Sequence, residues 1–190
     1  MTLHTAPAAI PSSAERIARG FALALGGSFL LAVSAKVQVP FYPVPLTLQT
    51  LVVLLIGATL GARLATASVA LYLIEGLAGL PVFAGAVAGP LYMAGPTGGF
   101  LVGFLAAAAL IGFAADRRWD RSWIRLLCSL SLGHAVVFAF GFVWLAEFIG
   151  AERAFAAGVA PFVLATIVKT LLAVALVGAG RSAAQRMSRA

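Results

Sequence analysis

The chain has 190 residues, of which 62% are hydrophobic and only 10% charged. A soluble domain carries about 25% charged residues, so there are too few charges here to cover a water-facing globule, and lipid is the environment for the apolar excess. The net charge of +7 does not point to nucleic acid, because the basic residues sit at the ends of apolar runs instead of forming a patch or stripe.

In chain order, residues 1–16 form a polar leader, expected to be disordered, with Pro7, Pro11, Ser12 and Ser13. A membrane domain over 17–181 and a basic tail over 182–190 follow. The apolar segments are 18–35, 46–62, 64–80, 98–115, 123–148 and 161–180, each near the length a spanning helix needs. Gly61-Ala62-Arg63 places a tight turn between the second and third, which are the shortest. The first could be mistaken for a signal peptide, with Arg16 and Arg19 before it and Val33-Ser34-Ala35 at its end. The long leader and the even number of spans favour a retained helix. The pattern therefore predicts an all-α integral membrane protein of six transmembrane helices.

With six spans, one side collects Arg16, Arg19, Arg63, Arg117, Arg118, Arg121, Arg125, Arg181, Arg186 and Arg189, and the other only Lys36 and Arg153. The positive-inside rule puts the first side, and both termini, in the cytoplasm. The expected location is the inner (cytoplasmic) membrane, with multiple passes. Two loops then face outward. Residues 36–45 contain three prolines, which makes them stiff and extended. Residues 79–99 are nearly uncharged, rich in proline and glycine, and expected to fold back over the helices as a cap or a reentrant plug.

Lys169 is the one basic residue assigned to neither side and lies inside the last span. Eight residues from Pro161 place it about 12 Å below the outer end. A lysine at mid-membrane costs about 2.5–3.5 kcal/mol, and such residues face the protein interior and mark a ligand or ion site. The alternatives are pairing with Glu75 or snorkelling to a surface. Thr166, three residues earlier, shares its face and can serve a ligand or bond its own backbone; spacing favours the backbone. Gly95-Pro-Thr-Gly-Gly-Phe100 opens the fourth span, where free N–H groups and glycine allow a carbonyl or carboxylate to approach. No Gly-Lys-Ser/Thr follows, so it is not a phosphate loop.

Gln49, after Thr47, can read an amide or urea group or cap a helix. Phe41, Tyr42, Phe83 and Tyr92 suit an apolar wall or interfacial packing. His134 is expected to pack, and Cys128 to act as a small buried hydrophobe. No nucleophile or metal constellation suggests an enzyme, and no metal site is expected. Ala24, Ser28 and Ala32, each four apart, form a small-residue stripe for close helix packing, either internal or against a partner.

Three runs carry a resemblance. Pro43-Val-Pro-Leu-Thr-Leu-Gln-Thr-Leu51, Glu75-Gly-Leu-Ala-Gly-Leu-Pro-Val-Phe-Ala-Gly85 and Gly95-Pro-Thr-Gly-Gly-Phe-Leu-Val-Gly-Phe104 resemble, in order, the BioY family of biotin-uptake S components. The family often has tyrosine at the Phe100 position. The resemblance implies a six-helix subunit that captures biotin from outside under capping loops. It also implies a transmembrane coupling subunit and two cytoplasmic ATPase subunits as partners, with biotin as transported ligand and no covalently bound cofactor. Alternatives are an S component for another small vitamin or a solitary biotin transporter. The expected substrate site comprises Lys169, Thr166, Gly98, Gly99, Phe100, Gln49 and Phe83, with the ureido ring near Gly98 and Gly99 and the carboxylate on Lys169. Ala24, Ser28 and Ala32 become the partner-docking stripe. The family's last-helix motif looks like Pro-Phe-x-x-Gly-Asp-x-x-Lys. Pro161, Phe162 and Lys169 match it, but Ala165 and Thr166 replace the glycine and aspartate, so Lys169 lacks the acidic neighbour.

Overall fold

The computed structural model describes residues 12–188. Helix α1 (Ser13–Lys36) opens on a capping box, in which Glu15 N–H donates to Ser12 Oγ at 3.2 Å and Ser12 N–H to Glu15 Oε2 at 2.7 Å. Two orphan donors of the first turn are satisfied this way, and the helix begins inside the stretch expected to be leader. Residues 1–11 of that leader, and the last two of the tail, lie outside the described residues. The rest of the tail is mostly helix.

After α1 the Pro-rich loop forms a small hairpin. Strands β1 (Gln38–Val39) and β2 (Leu46–Thr47) pair antiparallel, with Gln38 opposite Thr47 and Val39 opposite Leu46. The prolines, which have no N–H to give a ladder, occupy the connection and its margins.

Helix α2 (Gln49–Leu77) is broken at Gly61, where φ is 78° and ψ 171°. That backbone region is open essentially to glycine alone. Gln49 Nε2 donates to the Tyr72 hydroxyl at 2.7 Å, although 23 residues of unbroken helix would part them by about 35 Å. The helix therefore doubles back at Gly61, and its halves, 49–60 and 62–77, are the expected second and third spans. The N-terminus of the second half is held from outside. Ala62 N–H donates to Asp116 Oδ2 at 3.1 Å, and a Cβ on Gly112 would run into the Ala62 backbone.

The remaining elements are α3 (Pro90–Met93), α4 (Gly98–Asp116), α5 (Trp123–Ile149), α6 (Ala151–Gly158) and α7 (Val163–Met187). Single turns of 3₁₀ helix cover Trp119–Arg121 and Ala160–Phe162. Five helical stretches are long and apolar enough to cross a bilayer; with α2 folded on itself, they make six apolar helices. Helix α6 is not foreseen in the sequence. It follows Gly150, whose φ of 80° ends α5, and it fills the connection to α7.

At one end of the bundle Gly20 of α1 faces Leu64, Gly61 faces Asp116, and Arg181 of α7 reaches Asp120, with Nε 3.5 Å from Oδ2. Both ends of the described chain therefore lie at this end. The β-hairpin and the segment 78–97 close the other. They are tied together by Lys36, whose Nζ donates to the carbonyls of Phe83 (2.7 Å) and Gly85 (3.0 Å).

Two expectations need correction. Ala24 and Ser28 are buried by the protein itself. Ser28 Oγ donates to Glu75 Oε2 at 2.5 Å, and Ala32 packs partly against the same core. The stripe is thus occupied by α2 and is not an open docking face; it lets α1 approach the second half of α2 closely. Cys128 is exposed on the outer surface of α5, because its neighbours at helical spacing, not Cys128 itself, turn inward.

Candidate functional site

Beneath the β-hairpin the helices part around a cavity of about 570 Å³ of empty space, its mouth included. Its walls come from distant parts of the chain: Val44, Pro45 and Thr47 from the hairpin, Thr50 from the first turn of α2, Tyr92 and Thr97 from the cap, and Lys169 from α7. An aromatic wall runs across it. Phe162 lies 6.2 Å from Phe138, and Phe138 6.3 Å from Phe100 (centroid to centroid). Such a wall gives apolar area and flat faces to a ring system.

Lys169 is the cation of this cavity. Its Nζ donates to the Thr47 carbonyl at 2.6 Å and to Thr50 Oγ1 at 2.9 Å. Both partners are neutral oxygens. Among the described residues the only ion pair is Arg181 with Asp120, and Glu75 is engaged by Ser28 instead of by Lys169. A charge held among neutral oxygens in a largely apolar wall is not neutralised, and an anionic group entering the cavity would complete it.

Gln49 lies beside this group but is turned into the protein. It is 3% exposed, accepts from Thr47 Oγ1 at 3.1 Å and donates to Tyr72. It borders the cavity and at the same time fixes the helix hairpin. Below Lys169, Thr170 Oγ1 donates to the carbonyl of Thr166 at 2.8 Å. His134 Nδ1 lies within hydrogen-bond distance of the same hydroxyl, 3.0 Å from Thr170 Oγ1. The back-bond expected of Thr166 belongs to Thr170, and His134 both packs and joins α5 to α7.

Of the substrate-site residues expected from sequence, Lys169, Thr166, Phe100 and Gln49 line the cavity. Gly98, Gly99 and Phe83 do not. A Cβ on Gly98 would meet the Met93 carbonyl, and one on Gly99 the Trp144 side chain. These glycines therefore let α4 pack on α5 and on the cap, and Thr97 takes the cavity position. Phe83 is fully buried behind the wall, stacked on Tyr92 at 4.9 Å and edge-on to Tyr72 at 5.5 Å. Tyr42 points outward. Thr50, Thr97 and Phe138 are lining residues that the sequence did not single out. Phe138 had a signal, one helical turn from His134 and inward like it; the threonines had none.

A multi-pass helical bundle with an aromatic-lined, lysine-bearing cavity under a cap has the architecture of a membrane protein that handles a small organic molecule. The chain belongs to the BioY family, whose pattern matches residues 6–186. That family is one of transporters, not of enzymes. The protein named "Probable biotin transporter BioY" from Pyrococcus horikoshii is 41% identical over 145 residues, which cover 76% of this chain and 85% of that one. The biotin transporter BioY of Thermotoga maritima is 36% identical over 145 residues, with the same shares. A crystal structure of the S-component for biotin from an ECF-type ABC transporter superposes with a TM-score of 0.80 at 25% identity, covering 91% of this chain and 95% of that one.

Proposed function

We propose that the chain captures biotin from outside the cell and delivers it inward as the S component of an ATP-driven energy-coupling factor transporter. In this reading the termini are cytoplasmic and the membrane is the inner one. The observation that carries the reading is Lys169 bonded only to neutral oxygens in an aromatic-lined cavity, a site suited to a ring system with a carboxylate tail. In ligand binding the tail carboxylate takes the Nζ protons now given to Thr47 and Thr50, and the bicyclic ring lies along Phe100, Phe138 and Phe162. Thr97 and Thr166 offer the polar edge. A transmembrane coupling subunit and two ATPase subunits supply the energy for release, since no phosphate loop is present in this sequence.

Equilibrium dialysis of the purified chain with labelled biotin, in competition with a panel of other vitamins, tests the ligand. Displacement by another vitamin at lower concentration than by biotin would overturn the biotin assignment. Uptake by cells with and without coupling and ATPase subunits tests the partnership. Equal uptake in both would make the protein a solitary transporter.

A further inference from the structure

A second cavity lies at the opposite end of the bundle, the end with both termini, and takes no part in the site above. It is a groove between α4 and α5 of about 410 Å³, its open side included. Leu110, Phe113, Ala114 and Leu132 make its apolar walls, with Arg117 and Trp119 at its mouth. Phe113 and Leu132 are each half exposed, so the groove opens on the lipid-facing surface. The Arg117 guanidinium sits over the Phe113 ring, 3.5 Å from its centroid. That contact holds a cation over the groove entrance.

The turn that follows, 117–125, carries four exposed guanidinium groups, those of Arg117, Arg118, Arg121 and Arg125. Both acids at this turn are engaged elsewhere. Asp116 accepts from Ala62 N–H, and Asp120 pairs with Arg181. One carboxylate bonded to a neutral N–H does not offset four guanidinium groups, so the turn keeps a net positive charge, with Arg117 at the groove. Trp119 and Trp123, both exposed, are the residue type that seats at the headgroup level of a bilayer.

We propose that this groove is a binding site for an anionic phospholipid of the same leaflet, one acyl chain lying along Phe113 and Leu132 and the phosphate meeting Arg117 with its neighbouring arginines. A soluble anion would leave the apolar walls unfilled, and a zwitterionic lipid would leave the arginines unbalanced. Basic pockets between helices at the cytoplasmic face are suited to such headgroups.

The test uses the full chain in bilayers, with Trp123→Phe and Trp144→Phe leaving Trp119 the only tryptophan of the three. Quenching of Trp119 is compared for brominated-chain phosphatidylglycerol and brominated-chain phosphatidylcholine at equal mole fraction. Phosphatidylglycerol is expected to bind at least about fivefold better, the contribution of one guanidinium near the surface. Arg117→Gln is expected to lower that preference about fivefold. Leu132→Phe, which narrows the groove and keeps every charge, is expected to abolish it. Equal quenching by the two lipids overturns the proposal. So does a preference that survives Leu132→Phe and falls as much with Arg125→Gln as with Arg117→Gln, which is the behaviour of diffuse surface attraction.

Discussion

Replacing Lys169 by methionine keeps the reach of the side chain and removes its charge. In the ligand-free protein two terms oppose each other. A lysine within the membrane span costs about 2.5–3.5 kcal/mol, while its bonds to Thr47 and Thr50 each return about 1.5–3 kcal/mol as charge-assisted hydrogen bonds. Together the two bonds return about 3–6 kcal/mol, which offsets the cost and can exceed it by up to a few kcal/mol, so the unfolding midpoint of the ligand-free variant in detergent should stay or fall, and not rise. The ligand-bound state has no such offset. Loss of one charge-assisted bond to a carboxylate weakens binding by about 1.5–3 kcal/mol, roughly 10- to 150-fold in Kd. Dialysis with labelled biotin reads this directly. Biotin amide as competitor closes a double-mutant cycle: it should bind the native chain far more weakly than biotin does, and the variant about as well as biotin does. An unchanged biotin Kd in Lys169→Met, or the same discrimination against the amide in both proteins, would refute the anchor.

Three further perturbations test the frame around the site. Gly61→Ala places a Cβ against the Asp116 carboxylate in a backbone region that costs other residues about 1–3 kcal/mol, so the thermal midpoint should fall; an unchanged midpoint would mean that the turn is not held as described. Gly76→Ala drives a methyl into the Phe83 ring, an overpacking of about 1–3 kcal/mol. Phe83 stacks on Tyr92, so dialysis should also show weaker biotin binding, whereas Gly178→Ala, with open space around it, should match the native chain. Gln49→Leu leaves the buried Tyr72 hydroxyl without its donor, at about 1–3 kcal/mol. Adding Tyr72→Phe should restore part of the stability in the same melting assay, and strict additivity of the two would contradict the hydrogen bond.

The hydropathy of the chain makes most of the bundle legible, because each apolar run is bounded by charge, glycine or proline. Gly61 is legible as a turn for the same reason, and Lys169 as an inward cation because the membrane penalises any other placement. The cavity wall is less so. Thr47 and Thr50 meet Lys169 across more than a hundred residues, and nothing local to either threonine announces it. Gly98 and Gly99 mislead because a helix start rich in glycine suits both a ligand and a close-packed neighbour, and only the position of Trp144 decides between them. Ala24 and Ser28 mislead likewise: small residues four apart say that some helix comes close, not which one. Lys36 reads as a flanking charge, but its two carbonyl partners in the cap depend on how the segment 78–97 folds back.

The turn at Gly61 also bears on how the protein sits in a bilayer of a given thickness. At 1.5 Å per residue the halves of α2 rise only about 18 and 24 Å, short of a hydrocarbon core near 30 Å. Helices α5 and α7 rise about 40 and 37 Å and exceed it. One flank of the molecule is therefore thinner than the membrane and the other thicker. Irregular backbone is tolerated at membrane depth only where protein or an enclosed cavity surrounds it. The thin flank is where the hairpin and cap fill the missing length, and the cavity lies between the two flanks, lined by α2 on one side and by α5 and α7 on the other. Hydrophobic mismatch of opposite sign on two sides is relieved by tilting the whole body. Acyl-chain length in reconstituted bilayers thus becomes a lever on the angle at which the cavity meets the membrane surface.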